Sequence, residues 1–112
     1  MLATIQPGDS FKANLQLLPP INAIQQIDLV DGNGATIHSI PNAPGKQGSL
    51  AVYHYLQQAF GTLDAKAAEH GLLIFAEHVP DAQANPGAHP NVDYLLVIAA
   101  GGAPLRIEVV NA

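Results

Sequence analysis

A short glycine-rich segment, P-G-K-Q-G-S, contains residues suited to holding a negatively charged ligand. Two glycines, Gly45 and Gly48, let backbone amides turn inward, and Lys46 adds a full positive charge. A helical pattern begins at Ser49, so the unpaired N–H groups of a helix N-terminus are expected beside this charge. Together with Gln47, these residues predict a binding site for a phosphate or carboxylate. The alternative interpretation is a rigid turn that ends at an ordinary serine cap.

A second group combines imidazole and carboxylate side chains: His78, Asp81, His89 and Asp93. Such side chains are ligands of zinc and of non-haem iron, and a metal with an open position can activate water. The group therefore predicts, as an alternative function, a metal-dependent enzyme. No H-E-x-x-H or comparable spacing is present. In the competing interpretation Asp81 caps a helical turn and the histidines bond to the backbone.

The composition excludes several other chemistries and partners. Without any cysteine, the chain can form no disulfide, thiolate metal site or thiol nucleophile. Ser49 lies outside a G-x-S-x-G turn, so no serine hydrolase is predicted and no catalytic residue is assigned. The chain has nine acidic and four basic residues, for a net charge of −5, and the basic residues are scattered. Nucleic acid is therefore not an expected partner.

The length of 112 residues and the hydrophobic share of 48% predict one domain, residues 1–112, with an ordinary core. The longest apolar runs are far shorter than the ~20 residues of a membrane span, and the first residues lack the pattern of a secretory leader. We therefore expect a cytoplasmic protein that has no membrane partner.

Caps and apolar spacing predict four helices that would position these residues. Their caps and terminators are, in chain order, Ser10 and Pro19, Ser49 and Gly61, Asp64 and Gly71, and Asn91 and Gly101. The first helix is amphipathic and has the character of a lid. Helix and strand patterns compete over residues 93–100, and the flanking cap and glycines favour helix.

Alternating and continuous apolar segments predict four strands. Residues 24–30 and 35–40 form an antiparallel hairpin around a D-G-N-G turn, and residues 72–78 form a buried strand. Residues 105–110 alternate strictly and predict a half-buried edge strand. The element order predicts an α+β fold with a single mixed four-stranded sheet and helices packed largely on one face. Its last two strands would be parallel through a right-handed crossover.

A low density of charge favours self-association. Four basic and nine acidic residues share a folded surface of roughly 5,900 Å², so contiguous uncharged patches are expected. The strand at 105–110 would leave backbone groups unpaired, and Arg106 and Glu108 could pair reciprocally with those of a second copy. We therefore predict a two-fold homodimer through this strand.

Three runs, P-G-K-Q-G-S-L-A-V-Y-H (44–54), G-L-L-I-F-A-E-H (71–78) and N-P-G-A-H-P-N-V-D (85–93), resemble small proteobacterial proteins catalogued as domain of unknown function family 2322. The similarity covers nearly the whole chain. It implies a compact bacterial cytoplasmic protein and supplies no catalytic residue, cofactor or substrate.

The leading functional prediction is a non-enzymatic module that binds a small anion or a partner protein. The metal-dependent enzyme is the alternative, and a structural subunit without a ligand is the third possibility. No cofactor is assigned.

Overall fold

The computed structural model describes residues 2–112, which form five helices and three strands. In chain order these are α1 (Phe11–Leu15), β1 (Ile24–Val30), β2 (Thr36–Pro41), α2 (Gln47–Phe60), α3 (Ala65–Phe75), α4 (His78–Ala84), α5 (Pro90–Ala99) and β3 (Arg106–Asn111). The class is α+β, as predicted. No helix within the described residues is long and apolar enough to span a membrane.

The sheet has three strands in the order β2-β1-β3, and both neighbouring pairs are antiparallel. The prediction of a mixed four-stranded sheet with a parallel crossover is therefore wrong. The predicted β1–β2 hairpin is confirmed, and its turn is held by the carboxylate of Asp31, which accepts the N–H groups of Asn33 and Ala35. The prediction of an edge strand near the end of the chain is also confirmed, since β3 pairs only with β1 among the named strands.

The strand predicted at residues 72–78 is instead the end of α3, a turn at residues 76–77 and the first residue of α4. The sequence predicts that Gly71 ends a helix and that a strand follows, but α3 continues through Gly71 to Phe75. A Cβ atom on Gly71 would lie 2.8 Å from Leu95 Cδ1 and 2.9 Å from Leu56 Cδ1. The glycine therefore permits close packing of α3 against α2 and α5. A short apolar run has no periodicity that separates a buried strand from a buried helix, which explains the error.

Each face of the sheet has its own character, because side chains alternate along a strand. The face that packs on the helices carries Ile27, Leu29, Ile40 and Ile107, all buried. The opposite face carries Gln26, Asp28, Ser39, Arg106 and Glu108. Val30 and Val110 share this second face, so helices cover one face of the sheet and a mixed, largely polar surface forms the other.

Two of the four predicted helix caps are confirmed and two are wrong. Ser10 and Asp64 accept backbone N–H groups at the starts of α1 and α3. The N-cap of α2 is Lys46 rather than Ser49, and the N-cap of α5 is His89 rather than Asn91. Neither Lys46 nor His89 makes a side-chain capping hydrogen bond. The first turns of α2 and α5 therefore keep backbone donors that no side-chain cap satisfies.

Candidate functional site

A cavity of about 580 Å³ lies where the first turns of α2 and α5 approach α1 and the end of α3. Residues 45–49 form one part of its wall, and residues 88–92 together with His78 form another. Its apolar lining is Phe11, Leu15, Phe75 and Val92. The two groups that the sequence presents as separate candidates, the glycine loop and the histidine pair, thus share one cavity.

The first turn of α2 combines the positive end of a helix dipole with the charge of Lys46 in this wall. Within residues 2–112, no hydrogen-bond partner accepts from the N–H groups of Gln47, Gly48 and Ser49. The turn contains no acidic residue, and Lys46 stands at the N-cap. Because the helix dipole already places positive partial charge at this end, the lysine adds to it rather than compensating it.

The loop before α2 is held in a defined shape. The side-chain amide of Asn42 donates to the carbonyls of Ile21 at 3.1 Å and Ile24 at 2.8 Å, and its oxygen accepts from Gln47 Nε2 at 2.9 Å. Gly45 has a φ of 82°, which favours glycine strongly. The amide donors of α2 are therefore in place before any ligand arrives.

α1 lies across the start of α2, as expected of a lid. A Cβ atom on Gly48 would lie 3.1 Å from Phe11 Cζ, so the absence of a side chain lets Phe11 pack against the helix start. The Phe11 ring also stacks on Phe75, with centroids 5.2 Å apart, and meets His78 edge-on at 4.8 Å. Gly48 therefore lets α1 pack closely on the start of α2.

Two polar side chains hold α1 in this position. Asn14, which is buried, donates from Nδ2 to the carbonyl of Ile74 at 3.0 Å. The carboxylate of Glu77 accepts the N–H of Phe11 at 2.7 Å. That hydrogen bond is the main reason that the pKa of the Glu77 carboxyl lies below its usual range.

The first turn of α5 approaches the cavity from the other side. Asn91 lines the cavity, and within residues 2–112 its N–H has no hydrogen-bond partner. Its carbonyl accepts the hydroxyl of Tyr53 at 2.5 Å, and its Oδ1 lies 2.8 Å from His38 Nε2. Burial raises the pKa of the Tyr53 hydroxyl, which therefore stays a donor. These contacts tie the start of α5 to α2 and to β2.

The predicted metal ligands are only partly brought together. His89 Nε2 is hydrogen-bonded to Asp81 Oδ2, and the ring centroids of His89 and His78 are 5.6 Å apart. Asp93 instead accepts the N–H of Gly87 at 3.0 Å. Among residues 2–112, no three His, Asp or Glu side chains form a group that could hold a metal ion.

Asp81 and His89 form a polar pair at the edge of this region. The hydrogen bond from His89 is the largest cause of a lowered pKa of the Asp81 carboxyl. Asn85 Nδ2 also donates to Asp81 Oδ1 at 3.1 Å. Asp81 is therefore committed to fixing the loop between α4 and α5, and it does not line the cavity.

Sequence reasoning missed the apolar lining and the Asn91 amide. The spacing of Phe11 and Leu15 identifies the apolar side of α1, but it cannot show that this side faces the start of α2. The sequence does not reveal the Asn91 amide, because Asn91 has the residue type of a cap, whereas the observed N-cap is His89, two residues earlier, and the helix begins at Pro90.

The fold and the cavity define a small α+β protein with helix N-termini gathered around a partly apolar pocket. A bacterial family described as an uncharacterized protein conserved in bacteria, DUF2322, matches residues 11–109, and the chain belongs to this family. The resemblance noted in the sequence is thereby confirmed. Comparison with curated proteins and with solved structures finds no match in either.

Proposed function

We propose that this protein is a non-enzymatic module that binds a small anionic ligand, with a phosphate or carboxylate group, in the cavity at the start of α2. One observation carries the proposal: the first turn of α2 has free backbone donors, no acidic residue, and a lysine at its N-cap. A positive charge at the positive end of a helix dipole is unfavourable by itself, and an anion bound there would relieve it.

Other features of the cavity support an anion. The free N–H of Asn91 and the imidazole of His78 line the same space as Lys46. The protein carries a net charge of −5, so general electrostatic attraction would not draw an anion to it. Affinity would have to come from the local arrangement of donors, which the loop at residues 42–47 holds in shape.

A thermal-shift screen with inorganic phosphate, nucleotides and organic acids tests the proposal, because a ligand that binds only the folded state raises the melting temperature. We expect at least one anion to stabilise the wild type, and Lys46→Ala to reduce that shift. Lys66→Ala is the matched control, since Lys66 is exposed on α3 and does not line the cavity. If no anion shifts the wild type, or if both variants lose the shift equally, the proposal fails.

A metal-dependent enzyme is the alternative, because the rings of His78 and His89 are neighbours and Asp81 is hydrogen-bonded to His89. It predicts a stoichiometric transition metal in protein purified without a histidine tag, and its loss in His89→Ala. Metal analysis that finds none in protein grown with added zinc or iron would reject it.

We also propose that the protein works in the cytoplasm as a homodimer. The support for the dimer is the position of β3 at the edge of the sheet.

A further inference from the structure

The hydrogen-bond pattern of the sheet determines which backbone groups of β3 point to its outer edge, away from β1. In an antiparallel strand, the N–H and C=O groups of one residue point to the same edge, and those of the next residue point to the opposite edge. Leu105 exchanges hydrogen bonds with Leu63, at 2.9 and 3.0 Å, on the side away from β1. Ile107, Val109 and Asn111 have the same parity as Leu105, so their backbone groups also face away from β1.

The pairing of β1 with β2 leads to the same assignment. The carbonyl of Gln25 accepts the N–H of Asn42, so odd-numbered residues of β1 face β2 and even-numbered ones face β3. Asp28, which pairs with Glu108, is on the β3 side. Even-numbered residues of β3 are therefore used by β1, and within residues 2–112 the backbone groups of Ile107 and Val109 find no partner at the open edge.

The other edge of the sheet is less suited to pairing. By the same parity Pro41 points outward from β2, and proline has no N–H to donate. A register shift also interrupts the β1–β2 ladder between Leu29 and Val30. The β1–β3 ladder also shifts register, between Ile24 and Gln26, but the extra residue there belongs to β1. Proline and irregularity are common means of protecting an edge strand, and β3 itself has no proline and no extra residue at its open positions.

One two-fold register of two antiparallel β3 strands uses every open position, whereas an axis at Val110 would pair Val109 with Asn111 and leave Ile107 without a partner. A two-fold axis at Ile107 would pair Leu105 with Val109, but Leu105 is already bonded to Leu63. An axis at Glu108 would set two glutamates directly opposite each other, which is unfavourable. An axis at Val109 pairs the two Val109 residues and pairs Ile107 with Asn111, so every open position is used.

We infer that the homodimer proposed above forms by antiparallel pairing of β3 with β3 of a second copy, about a two-fold axis at Val109. The inference rests on that proposed self-association and adds its strand and register. In this register Arg106 and Glu108 of the two copies do not lie opposite each other, so it differs from the reciprocal pairing expected from the sequence. Arg106 Nη2 lies 2.8 Å from Glu108 Oε2 of the same chain, so this ion pair is made within each copy.

Single cysteines test the register cleanly, because the chain has no cysteine of its own. In the proposed register the two Val109 Cα atoms would be ~5.5 Å apart, as in a hydrogen-bonded antiparallel pair, which a disulfide can span. The two Glu108 positions would be diagonal neighbours ~7–8 Å apart, beyond easy reach. Ser39→Cys, on the exposed face of β2, reports random collisions.

Light scattering of the wild type should give about twice the monomer mass of 11.7 kDa. Under mild oxidation Val109→Cys should form a covalent dimer severalfold faster than Glu108→Cys and Ser39→Cys. A monomer at all accessible concentrations overturns the homodimer itself. A dimer that Glu108→Cys crosslinks fastest overturns the register alone, and a dimer that crosslinks at neither β3 position overturns pairing through β3.

Discussion

Asn14 and Glu77 decide how α1 sits over the cavity. α1 has five residues, and a helix of that length is not stable by itself in water. Apart from the buried tyrosines, Asn14 is the one buried polar side chain among residues 2–112, and it forms hydrogen bonds with the carbonyls of Gly8 and Ile74 and with the N–H of Gly8. Glu77 adds the bond to the N–H of Phe11. The position of α1 therefore depends on Asn14 and Glu77, both of which are far away in sequence from the loop at residues 45–49.

The bond made by Glu77 predicts a pH dependence of stability. The pKa of its carboxyl is lowered in the folded state, mainly by the N–H of Phe11, whereas an unfolded glutamate has a pKa of about 4.3. Its contribution is therefore fully present above that unfolded value and is lost as pH falls through the folded pKa. The difference in unfolding free energy between wild type and Glu77→Gln should be largest above about pH 5 and should shrink toward pH 3.

Urea unfolding at a series of pH values measures this difference. Glu69→Gln is the matched control, because within residues 2–112 the Glu69 side chain makes no hydrogen bond or ion pair. A Glu77→Gln difference that stays constant from pH 3 to pH 6 would contradict the stated role of the carboxylate.

At the scale of elements, the sequence predicts those features that local residue types determine. The caps at Ser10 and Asp64, the D-G-N-G hairpin turn and the alternation of β3 are examples. The prediction fails where packing between distant elements decides the outcome. Gly71 has the residue type of a helix terminator, yet the approach of Leu56 and Leu95 makes it an interior helix position. No information within residues 65–78 alone reveals that contact.

The close approach of Leu95 and Leu56 to Gly71 predicts that Gly71→Ala destabilises the protein. In an exposed helix interior the change from glycine to alanine adds up to about 1 kcal/mol of stability. Here the new methyl group would overlap Leu95 and Leu56, so we expect a loss of about 1–3 kcal/mol instead. Gly32→Ala is the control, since a Cβ there meets nothing within 4 Å. Thermal unfolding that shows Gly71→Ala to be as stable as wild type would contradict the close packing.

The cavity belongs to the scale of the whole molecule, which explains why the sequence did not predict it as one site. Residues 45–49 and the region of His78 and His89 are separated by α2 and α3, and they meet because α3 packs against both α2 and α5 and because Tyr53 of α2 donates to Asn91 of α5. The residue types in each segment identify charged groups and amide donors that line the cavity. The packing of all five helices decides which segments share a cavity. It also decides which side chains already form hydrogen bonds within the protein.

The most direct test of anion binding at the start of α2 is an NMR titration of ¹⁵N-labelled protein with inorganic phosphate. The account predicts that the amide resonances of Gln47, Gly48 and Ser49 shift most and saturate together, and that the Asn91 amide moves with them. Lys46→Ala should weaken the apparent affinity without moving the affected residues elsewhere. Saturating shifts centred on another surface would contradict anion binding at the start of α2. The absence of a saturating shift at these four amides, with any anion that is active in the thermal screen, would contradict it as well.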